Sequence, residues 1–427
     1  MPVRQALEGM RKPVHPMIPI AVLGLVFCFI AFRQIGRFRF QIWQIMLAGA
    51  MVLLATNRIP PAEALHSIQP DVMLFLFGMF VVGEGLEKSG YLALLAYRLF
   101  RRTRTMDGLV LLILFTMGFA SAVLMNDTLA VIGTPVVLLL AARQGIPSRV
   151  LLLALAFSIT IGSTMSPIGN PQNLLIAVSG GVPNPFLTFS RYLLIPTVIN
   201  LLVAFAMLRW FYRDAFQSKL HVHTEEHVQD ADLGRACQVS LALIFLLIPA
   251  KILVLLLKPE WDFRLTWIAL AGALPLLLHR KRLSVLKEID WHTLVFFAAM
   301  FVVMQSVWNS GFFQSILGKI PLDLTSLFMI LAVSVLLSQF VSNVPLVALY
   351  LPLLLNAGAT PKEMIDLAAG STIAGNLLIL GAASNVIIIQ AAERKAGVTI
   401  TFFEFARIGI PLTLVNVAVY AFFLNLP

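Results

Sequence analysis

The strongest constraint on the fold is an apolar run of membrane length that is interrupted by helix-breaking residues. Residues 150–164 are mostly apolar. The sequence SPIGNPQNLLIA, which starts at Ser166, then places two prolines, a glycine, two asparagines and a glutamine before the apolar run resumes. An unpaired backbone polar group costs several kcal/mol in hydrocarbon. Such a break therefore predicts backbone that is buried in protein or lines a polar cavity.

The composition indicates that the rest of the chain shares this lipid environment. Hydrophobic residues make up 59% of the 427 residues and charged residues 12%, whereas soluble domains carry about 25% charged residues. We therefore predict an all-α polytopic membrane protein. The net charge of +10 is typical of Lys and Arg on cytoplasmic loops, so no nucleic-acid partner is expected. No cleavable signal peptide is evident.

Hydropathy predicts fourteen apolar segments and one long hydrophilic stretch. Residues 214–235 are predicted to form a cytoplasmic linker between an N-terminal half, 1–213, and a C-terminal half, 236–427. His221, His223 and His227 lie in that linker, where a solvated loop explains them better than a metal site. The segments are 17–32, 40–56, 71–98, 107–124, 128–142, 149–178, 190–213, 236–257, 264–280, 290–312, 322–340, 345–356, 364–393 and 402–425.

The positive-inside rule predicts how these segments cross the membrane. The basic clusters of the chain can all be cytoplasmic only if residues 107–142 and 322–356 form re-entrant hairpins. This arrangement leaves ten crossings, and the crossing segments 149–178 and 364–393 are predicted to be broken helices. Arg4, Arg11 and Lys12 then lie outside, against the rule. The clusters used are 98–104, 143–149, 213–235, 279–282 and 393–395.

An ordered internal repeat links the two halves. Residues 68–90 align with 289–311 without a gap and are identical at eight of 23 positions. LAGA at 47–50 recurs at 270–273, Asn126 aligns with Asn343, and GNPQN at 169–173 aligns with GAASN at 381–385. The difference in residue number between the aligned positions falls in order along the chain, from 223 for LAGA through 221 and 217 to 212 for the last match. Each half holds five crossings and one hairpin. Because five is odd, the halves are predicted to insert with opposite orientation, as in many secondary transporters.

Four breaks at matched positions are predicted to meet at one polar pocket near mid-membrane. We call residues 126–128 the first tip, 166–173 the first break, 342–344 the second tip and 381–385 the second break. Helix N-termini suit anions, whereas exposed carbonyls and Asn amides suit cations or hydroxyl donors. The predicted substrate-binding residues are Asn126, Thr128, Ser166, Gly169, Asn170, Asn173, Ser342, Asn343, Gly381, Ser384 and Asn385.

Ionisable side chains are scarce inside the predicted spans. Asp127 at the first tip is the outstanding one, and a buried carboxyl can carry and release protons. We therefore predict proton or cation coupling at Asp127, with an N-cap of a helix that begins near Thr128 as the alternative. Glu84 is a second coupling candidate, although it and Glu87 also suit an unwound or interfacial turn. The four breaks contain no Lys or Arg, which favours a neutral or weakly charged substrate.

At these residues the sequence resembles the ion transporter superfamily, and within it the arsenite permease (ArsB-type) branch. The resemblance covers nearly the whole chain and includes FLFGMFVVGEGLEKSG, LMNDTLAVIGTPVVLLLA, SPIGNPQNLLIA, SNVPLVALYLPLL and GAASNVIIIQAAERKAG. Related sodium–dicarboxylate carriers place Ser-Asn-Thr at each hairpin tip. Here Asp127 and Val344 depart from that pattern, and an acid after the tip Asn is similar to arsenite pumps.

The resemblance implies a secondary transporter of the plasma (inner) membrane that moves its hairpin domain like an elevator against a scaffold. It implies export of arsenite or antimonite in exchange for protons, or as the membrane subunit of an ATP-driven pump with a cytoplasmic ATPase partner. Arsenite would be held as neutral As(OH)3 through its hydroxyls, since the chain has only two cysteines. The alternative is a sodium- or proton-coupled carrier of an anion such as a dicarboxylate.

An enzyme is the third class of function considered, and the sequence argues against it. The chain contains no GxSxG, no HExxH and no paired intramembrane aspartates, which are the signatures expected of an intramembrane hydrolase. No cofactor and no metal ligand set is predicted. A channel is disfavoured because the breaks form no continuous polar stripe.

Overall fold

The computed structural model describes residues 17–32, 34–35, 38–100, 103–217, 229–257, 264–312 and 325–426. The central part of the predicted linker, with its three histidines, and the N-terminal basic residues lie outside the described residues. Apart from one pair of two-residue strands, β1 (Gln34–Ile35) and β2 (Phe38–Arg39), the regular structure of these ranges is helical. The predicted all-α class is thereby confirmed.

The first half forms helices that follow the predicted segments closely. The predicted segment 71–98 is divided by a turn at Ser89 and Gly90. The helices are α1 (Met17–Phe32), α2 (Ile42–Ala55), α3 (Pro61–Ser67), α4 (Pro70–Lys88), α5 (Tyr91–Phe100), α6 (Met106–Leu124), α7 (Asn126–Gln144), α8 (Ser148–Ser163), α9 (Pro171–Ser179), α10 (Pro185–Phe211) and α11 (Arg213–Phe216).

The second half repeats this order. Two short 3-10 turns, Ala374–Asn376 and Ile379–Gly381, separate its broken helix into two parts. The helices are α12 (Ala231–Leu257), α13 (Leu265–Leu277), α14 (Arg282–Glu288), α15 (Trp291–Asn309), α16 (Leu327–Val341), α17 (Asn343–Asn356), α18 (Pro361–Ile373), α19 (Ala383–Ala396) and α20 (Phe402–Leu424).

Several of these helices are long and apolar enough to cross a bilayer. Within the described residues six qualify singly, and α3 with α4 makes a seventh if that pair, bent by 54°, is one span. Two of the six are α6 and α7, the arms of the first predicted hairpin. The helices α1, α2, α8, α13, α16 and α17 contain shorter apolar stretches of 10–17 residues. The ten crossings remain a prediction.

Helices from corresponding positions of the two halves exchange partners. Helix α4 packs on α13, and its counterpart α15 packs on α2, the counterpart of α13. In the same way α7 packs on α19, and its counterpart α17 packs on α9, the counterpart of α19. Helix α10 packs directly on its own counterpart, α20. Two copies related by an approximate two-fold axis would produce these reciprocal contacts, which supports the proposal of a repeat.

The contacts divide the helices into two groups. The scaffold group comprises α1–α5 and α12–α15, and the hairpin group comprises α6–α10 and α16–α20. The groups meet where α4 and α5 contact α7, where α15 contacts α16 and α19, and where α1 contacts α20. Within the scaffold group Lys88 donates to a carboxylate oxygen of Glu288 at 2.8 Å, and this ammonium holds the pKa of Glu288 below its usual range.

Candidate functional site

The two hairpin tips have the same backbone shape. Met125, which precedes α7, has φ 67° and ψ 148°, and Ser342, which precedes α17, has φ 68° and ψ 159°. Residues other than glycine rarely adopt this conformation, which costs of order 1–3 kcal/mol. The sequence alignment pairs these two residues, since Asn126 aligns with Asn343. The shared strain is therefore a feature of the hairpin tip itself.

Asparagine side chains hold the first break in shape. Asn173, which is fully buried, donates through Nδ2 to the carbonyl oxygens of Ser163, Thr164 and Ser166 at 3.2, 3.3 and 3.0 Å. Asn170 caps α9, because its Oδ1 accepts from the Asn173 backbone N–H at 2.8 Å. Ser166 also accepts the Ile168 N–H at its hydroxyl, at 3.3 Å. These bonds satisfy backbone groups that the interrupted helix leaves unpaired.

The first tip rests on the first break. The backbone N–H of Asn126 donates to the carbonyl oxygen of Gly169 at 3.0 Å. Gly169 is required there, because a Cβ would lie 2.2 Å from the carbonyl oxygen of Ser163. Asn126 also accepts the Asp127 N–H at its own Oδ1, at 2.9 Å. The structure thus brings these two predicted segments into direct contact.

A threonine of the second half completes the first break. Thr372 on α18 donates to Oδ1 of Asn173 at 3.1 Å and accepts from Nδ2 of Asn170 at 3.1 Å. A Cβ on Gly375, in the 3-10 turn that follows α18, would lie 3.2 Å from Cγ2 of Thr160 on α8. The two broken helices are therefore packed side by side at the points where they break.

The second break is tied to the arm of the second tip. Gln339, three residues before Ser342, donates through Nε2 to the carbonyl oxygen of Ala374 at 2.9 Å. Gly381 packs against that carbonyl, since a Cβ there would lie 2.7 Å from it. Asn385 donates through Nδ2 to the Gly375 carbonyl at 2.7 Å. All four predicted segments are thereby connected through one buried series of contacts.

Several side chains at these junctions keep a buried polar atom without a hydrogen-bond partner among the described residues. They are Oδ1 of Asp127, Oδ1 of Asn343, Oγ of Ser384 and Oδ1 of Asn385. Leaving such an atom unpaired costs about 1–3 kcal/mol. Asn170 and Asn173, in contrast, use their side chains to hold the chain. The unpartnered atoms are therefore the candidates for contact with a substrate or a coupled ion.

Each of the four segments also precedes a helix. Helices α7, α9, α17 and α19 begin at Asn126, Pro171, Asn343 and Ala383. A helix N-terminus carries roughly half a positive charge. Four such ends near one buried region provide a positive electrostatic environment without a basic side chain, and that environment suits a carboxylate.

Two predicted side chains contribute to other parts of the molecule, namely Thr128 of the first tip and Glu84 of α4. Thr128 lines a mostly apolar cavity of about 420 Å³ between α5, α6, α7 and α12. Glu84 on α4 accepts from Nζ of Lys395 at 3.2 Å, and the same ammonium bonds to Glu87. Lys395 lies twelve residues beyond Ala383 on α19, which is about 18 Å along a helix. This geometry favours Asp127 over Glu84 as the coupling residue.

One alternative from the sequence is wrong. Asp127 is not the N-cap of a helix that begins near Thr128, because α7 begins at Asn126 and Met125 occupies the cap position. The carboxylate instead lies in the first turn of α7. A capping role would have satisfied Oδ1, which is unpartnered here among the described residues.

Sequence reasoning missed several polar residues that support the junctions. Thr372 and Gln339 are among them. Three buried asparagines form a further series of hydrogen bonds, in which Asn376 donates to Asn416 at 3.2 Å and Asn416 donates to Asn200 at 2.9 Å. Asn200 and Asn416 occupy corresponding positions of α10 and α20. Each is an isolated polar residue in an apolar helix, and that is the signal that could have found it. No group of three or more metal-ligating side chains is found among the described residues.

The comparisons with known proteins agree on a transporter. The sequence model of the family described as CitMHS, citrate transporter, matches residues 26–366, which is well over half of the chain. An uncharacterized transporter of Mycobacterium bovis is 28% identical over 434 residues, covering 95% of this chain and 98% of that protein. The human P protein is 30% identical over 182 residues, covering 38% of this chain and 22% of that protein.

A solved structure is similar in outline. The YdaH transporter of Alcanivorax borkumensis covers 96% of this chain and 98% of its own at 14% identity, with a TM-score of 0.47. The relatives and the matching family confirm the prediction of a transporter that is not an enzyme. The matching family is described as a citrate transporter family, and the arsenite permease branch, which the motifs resemble, stays a prediction.

Proposed function

Because this chain belongs to the citrate transporter family, we propose that it is a secondary carrier that moves a di- or tricarboxylate such as citrate across the membrane by alternating access. The observation that carries this proposal is the buried junction of two hairpin tips and two broken helices, each of which precedes a helix N-terminus. The anion alternative drawn from the sequence therefore becomes the main proposal.

The polar atoms at the junction suit carboxylate groups. Helix N-termini offer N–H groups and positive potential to anionic oxygens. The Ser384 hydroxyl, whose buried oxygen has no partner among the described residues, adds a donor that can turn toward a bound anion. The Oδ1 atoms of Asn343 and Asn385, which are also without a partner there, can accept hydrogen bonds from a substrate hydroxyl or a protonated carboxyl group. Asn126, Ser166, Gly169, Asn170, Asn173, Ser342 and Gly381 shape the pocket in this proposal.

Asp127 supplies the reason for coupling. An ionised carboxylate beside an anionic substrate repels it, and repulsion between close like charges is strong where water is excluded. The substrate is therefore held when Asp127 is protonated or when a cation such as sodium lies between the two. Either condition ties substrate binding to a proton or cation gradient.

The two groups of helices suggest how the substrate crosses. We propose that the hairpin group carries the pocket past the scaffold group in an elevator-like motion, with residues 1–213 and 236–427 as inverted copies. The groups meet mainly at α4 and α5 against α7 and at α15 against α19. The ion pairs of Lys395 with Glu84 and Glu87 join them at the end of α19.

Arsenite or antimonite export remains the second candidate, because one observation favours it. The four segments contain no Lys or Arg but do contain Asp127, a combination that suits a neutral hydroxylated molecule. In this case Asn and Ser side chains would hold As(OH)3 by its hydroxyls. An ATPase partner and location in the plasma (inner) membrane belong to the same set of proposals.

Transport by purified protein in liposomes tests the function. Vesicles loaded with unlabelled citrate should take up labelled citrate by counterflow, and an inward proton or sodium gradient should drive its accumulation. Labelled succinate and arsenite are tested in parallel. Citrate or succinate exchange without arsenite movement supports the carboxylate carrier. Arsenite flux without carboxylate exchange overturns it in favour of the second candidate.

A further inference from the structure

A second buried carboxyl group lies in the hairpin group, away from the tips. Asp366 on α18 is 3% exposed, and its Oδ1 has no hydrogen-bond partner among the described residues. It lies in the second turn of α18, which starts at Pro361 next to the half-exposed Thr360–Glu363 cap. Buried carboxyl groups are costly within membrane-spanning bundles, and they often mark proton or ion pathways.

Serine hydroxyls extend from this carboxyl toward the second tip. Gly370 is one turn beyond Asp366 on the same face of α18, and a Cβ there would lie 3.2 Å from Oγ of Ser334 on α16. Ser338 follows Ser334 by one turn on the same face of α16. Both serines are fully buried, and neither hydroxyl has a partner among the described residues.

The serine path ends at the proposed substrate pocket. Helices α16 and α18 run in the same direction, because Ser334 contacts Gly370 and Gln339 bonds to Ala374. One turn beyond Ser338 lies Ser342 of the second tip, whose N–H donates to the Ser338 carbonyl at 3.1 Å. The path therefore leads from the start of α18 to the tip and the second break.

We propose that Asp366 is a second proton-carrying residue, which passes protons between the aqueous face at the start of α18 and the substrate pocket through Ser334 and Ser338. This inference rests on the proposed carrier function and adds a proton route to it. Hydroxyl groups both donate and accept hydrogen bonds. Groups one helical turn apart are about 6 Å from each other, a distance that one water can bridge.

Each transfer conserves protons. Asp366 in its acid form gives its proton to the next oxygen of the path, each hydroxyl accepts one proton as it releases its own, and the last proton enters the pocket. The Asp366 carboxylate then takes a proton from water at the start of α18. In the opposite direction the same steps return a proton to that side. No other reactant is needed.

Few charged groups face Asp366. Helices α16, α17 and α9, which pack on α18, contain no Asp, Glu, Lys or Arg. Arg149, Glu404 and Arg209 lie at the opposite end of α8, α20 and α10, where Glu404 contacts both Arg149 and Tyr212. The titratable groups at the same end are Glu363, Lys362, the exposed Arg191 over Tyr192, and the buried Tyr350 and Tyr420.

The test compares driven uptake with exchange in proteoliposomes, using labelled citrate. Counterflow requires substrate movement without net proton transfer, whereas accumulation requires coupling. In Asp366→Asn we expect counterflow at the wild-type rate and loss of one coupled proton, which lowers accumulation about tenfold under a gradient of about one pH unit. Asp366→Glu should restore accumulation. The double change Ser334→Ala with Ser338→Ala should slow driven uptake and leave counterflow intact.

Ser371→Ala is the matched control, because this buried serine of α18 bonds to the Ala368 carbonyl instead. It should change neither rate, and thermal unfolding in detergent shows that each variant is folded. Wild-type accumulation in Asp366→Asn overturns the inference, as does equal loss of counterflow and driven uptake. Unchanged driven uptake in the double serine variant overturns the path. Absence of citrate counterflow in the wild-type protein instead overturns the proposed function.

Discussion

The two broken helices occupy matched positions but use their polar side chains differently. In the first break Asn173 makes hydrogen bonds to three carbonyl groups and to Thr372. Its counterpart Asn385 in the second break donates only to the Gly375 carbonyl, and its Oδ1 has no partner among the described residues. The first break is therefore held by its own side chains, whereas the second keeps polar atoms available.

We propose that the two breaks, which have matched positions in the repeat, have different roles: the first supports the fold, and the second binds the substrate. The hairpin tips share their backbone conformation at Met125 and Ser342, yet an acid follows the first tip Asn and Val344 follows the second. We therefore propose that the first half supplies the frame of the site and the coupling acid Asp127, and that the second half supplies unpartnered groups for the substrate. The predictions below test this division, starting with the largest expected effect.

Replacing the matched asparagines should affect stability very unequally. Asn173→Ala removes the two N–H donors that three buried carbonyl oxygens share and the acceptor of the Thr372 hydroxyl, so we expect a loss of about 4 kcal/mol in the free energy of unfolding. Asn385→Ala removes one bond and should cost about 1 kcal/mol. Chemical denaturation in detergent measures both values. Equal losses in the two variants would contradict the proposed division.

The matched glycines should differ in the same direction. In Gly169→Ala the new Cβ would lie 2.2 Å from the Ser163 carbonyl oxygen, and in Gly381→Ala it would lie 2.7 Å from the Ala374 carbonyl oxygen. Overpacking of this kind costs about 1–3 kcal/mol, and we expect the first variant to lie at or above the top of that range. Thermal unfolding of both proteins is the measurement. A more stable Gly169→Ala than Gly381→Ala would be inconsistent with the rigid first break.

Substrate affinity should show the reverse order. Asn385→Ala removes a buried Oδ1 atom that has no partner among the described residues and that can accept a hydrogen bond from the hydroxyl group of citrate. We expect the half-saturation constant for citrate exchange to rise about thirtyfold, or about 2 kcal/mol. Thr372→Val, which removes a bond that only supports the first break, should leave that constant within about twofold while lowering the unfolding temperature. Counterflow kinetics over a range of citrate concentrations distinguish the two variants. A larger affinity loss in Thr372→Val refutes the assignment.

The smallest effect is expected at the second tip. Ser342 is a non-glycine residue at φ 68°, a conformation that costs of order 1–3 kcal/mol. Ser342→Gly should relieve that strain, and after about 0.4–1 kcal/mol is subtracted for the greater freedom of glycine in the unfolded chain, the protein should be stabilised by about 0.5–1 kcal/mol. Met125→Gly should have the opposite sign, because it also removes a side chain that is 4% exposed. Denaturation curves of the two variants provide the comparison. A destabilised Ser342→Gly variant shows that the tip conformation is not strained.

The sequence predicted the features that depend on local pattern. Apolar runs and the ordered repeat predicted an interruption in each broken helix, because proline, glycine and asparagine break helices through their own backbone chemistry. The second observed interruption begins at Ala374, seven residues before the predicted 381–385, so that Ser384 and Asn385 lie in the first turn of α19. The observed helix ends differ from the predicted ones by a few residues. The early start of α7 at Asn126 was enough to make the capping role of Asp127 wrong.

The pairing of isolated polar residues could not be predicted. Thr372 contacts Asn170 and Asn173 about two hundred positions away, and Lys395 reaches Glu84 across the two groups of helices. The sequence pattern around a single polar residue in an apolar helix does not predict its hydrogen-bond partner, because that partner depends on how distant helices pack. Long-range packing also explains why the two matched asparagines differ, since Asn173 is hydrogen-bonded through both Nδ2 and Oδ1 and Asn385 only through Nδ2.

Substrate protection of a thiol in the second break tests the central claim most directly. In a protein whose two native cysteines, Cys28 and Cys237, are replaced by serine, the variant Ser384→Cys is labelled with a small charged maleimide over a range of citrate concentrations. The variant Leu187→Cys, at an exposed position, is the reference. We predict that citrate slows labelling of the Ser384→Cys variant, with the half-effect at the concentration that half-saturates exchange, and leaves the reference unchanged. Unchanged labelling of Ser384→Cys at citrate concentrations that saturate exchange would contradict a pocket at this junction.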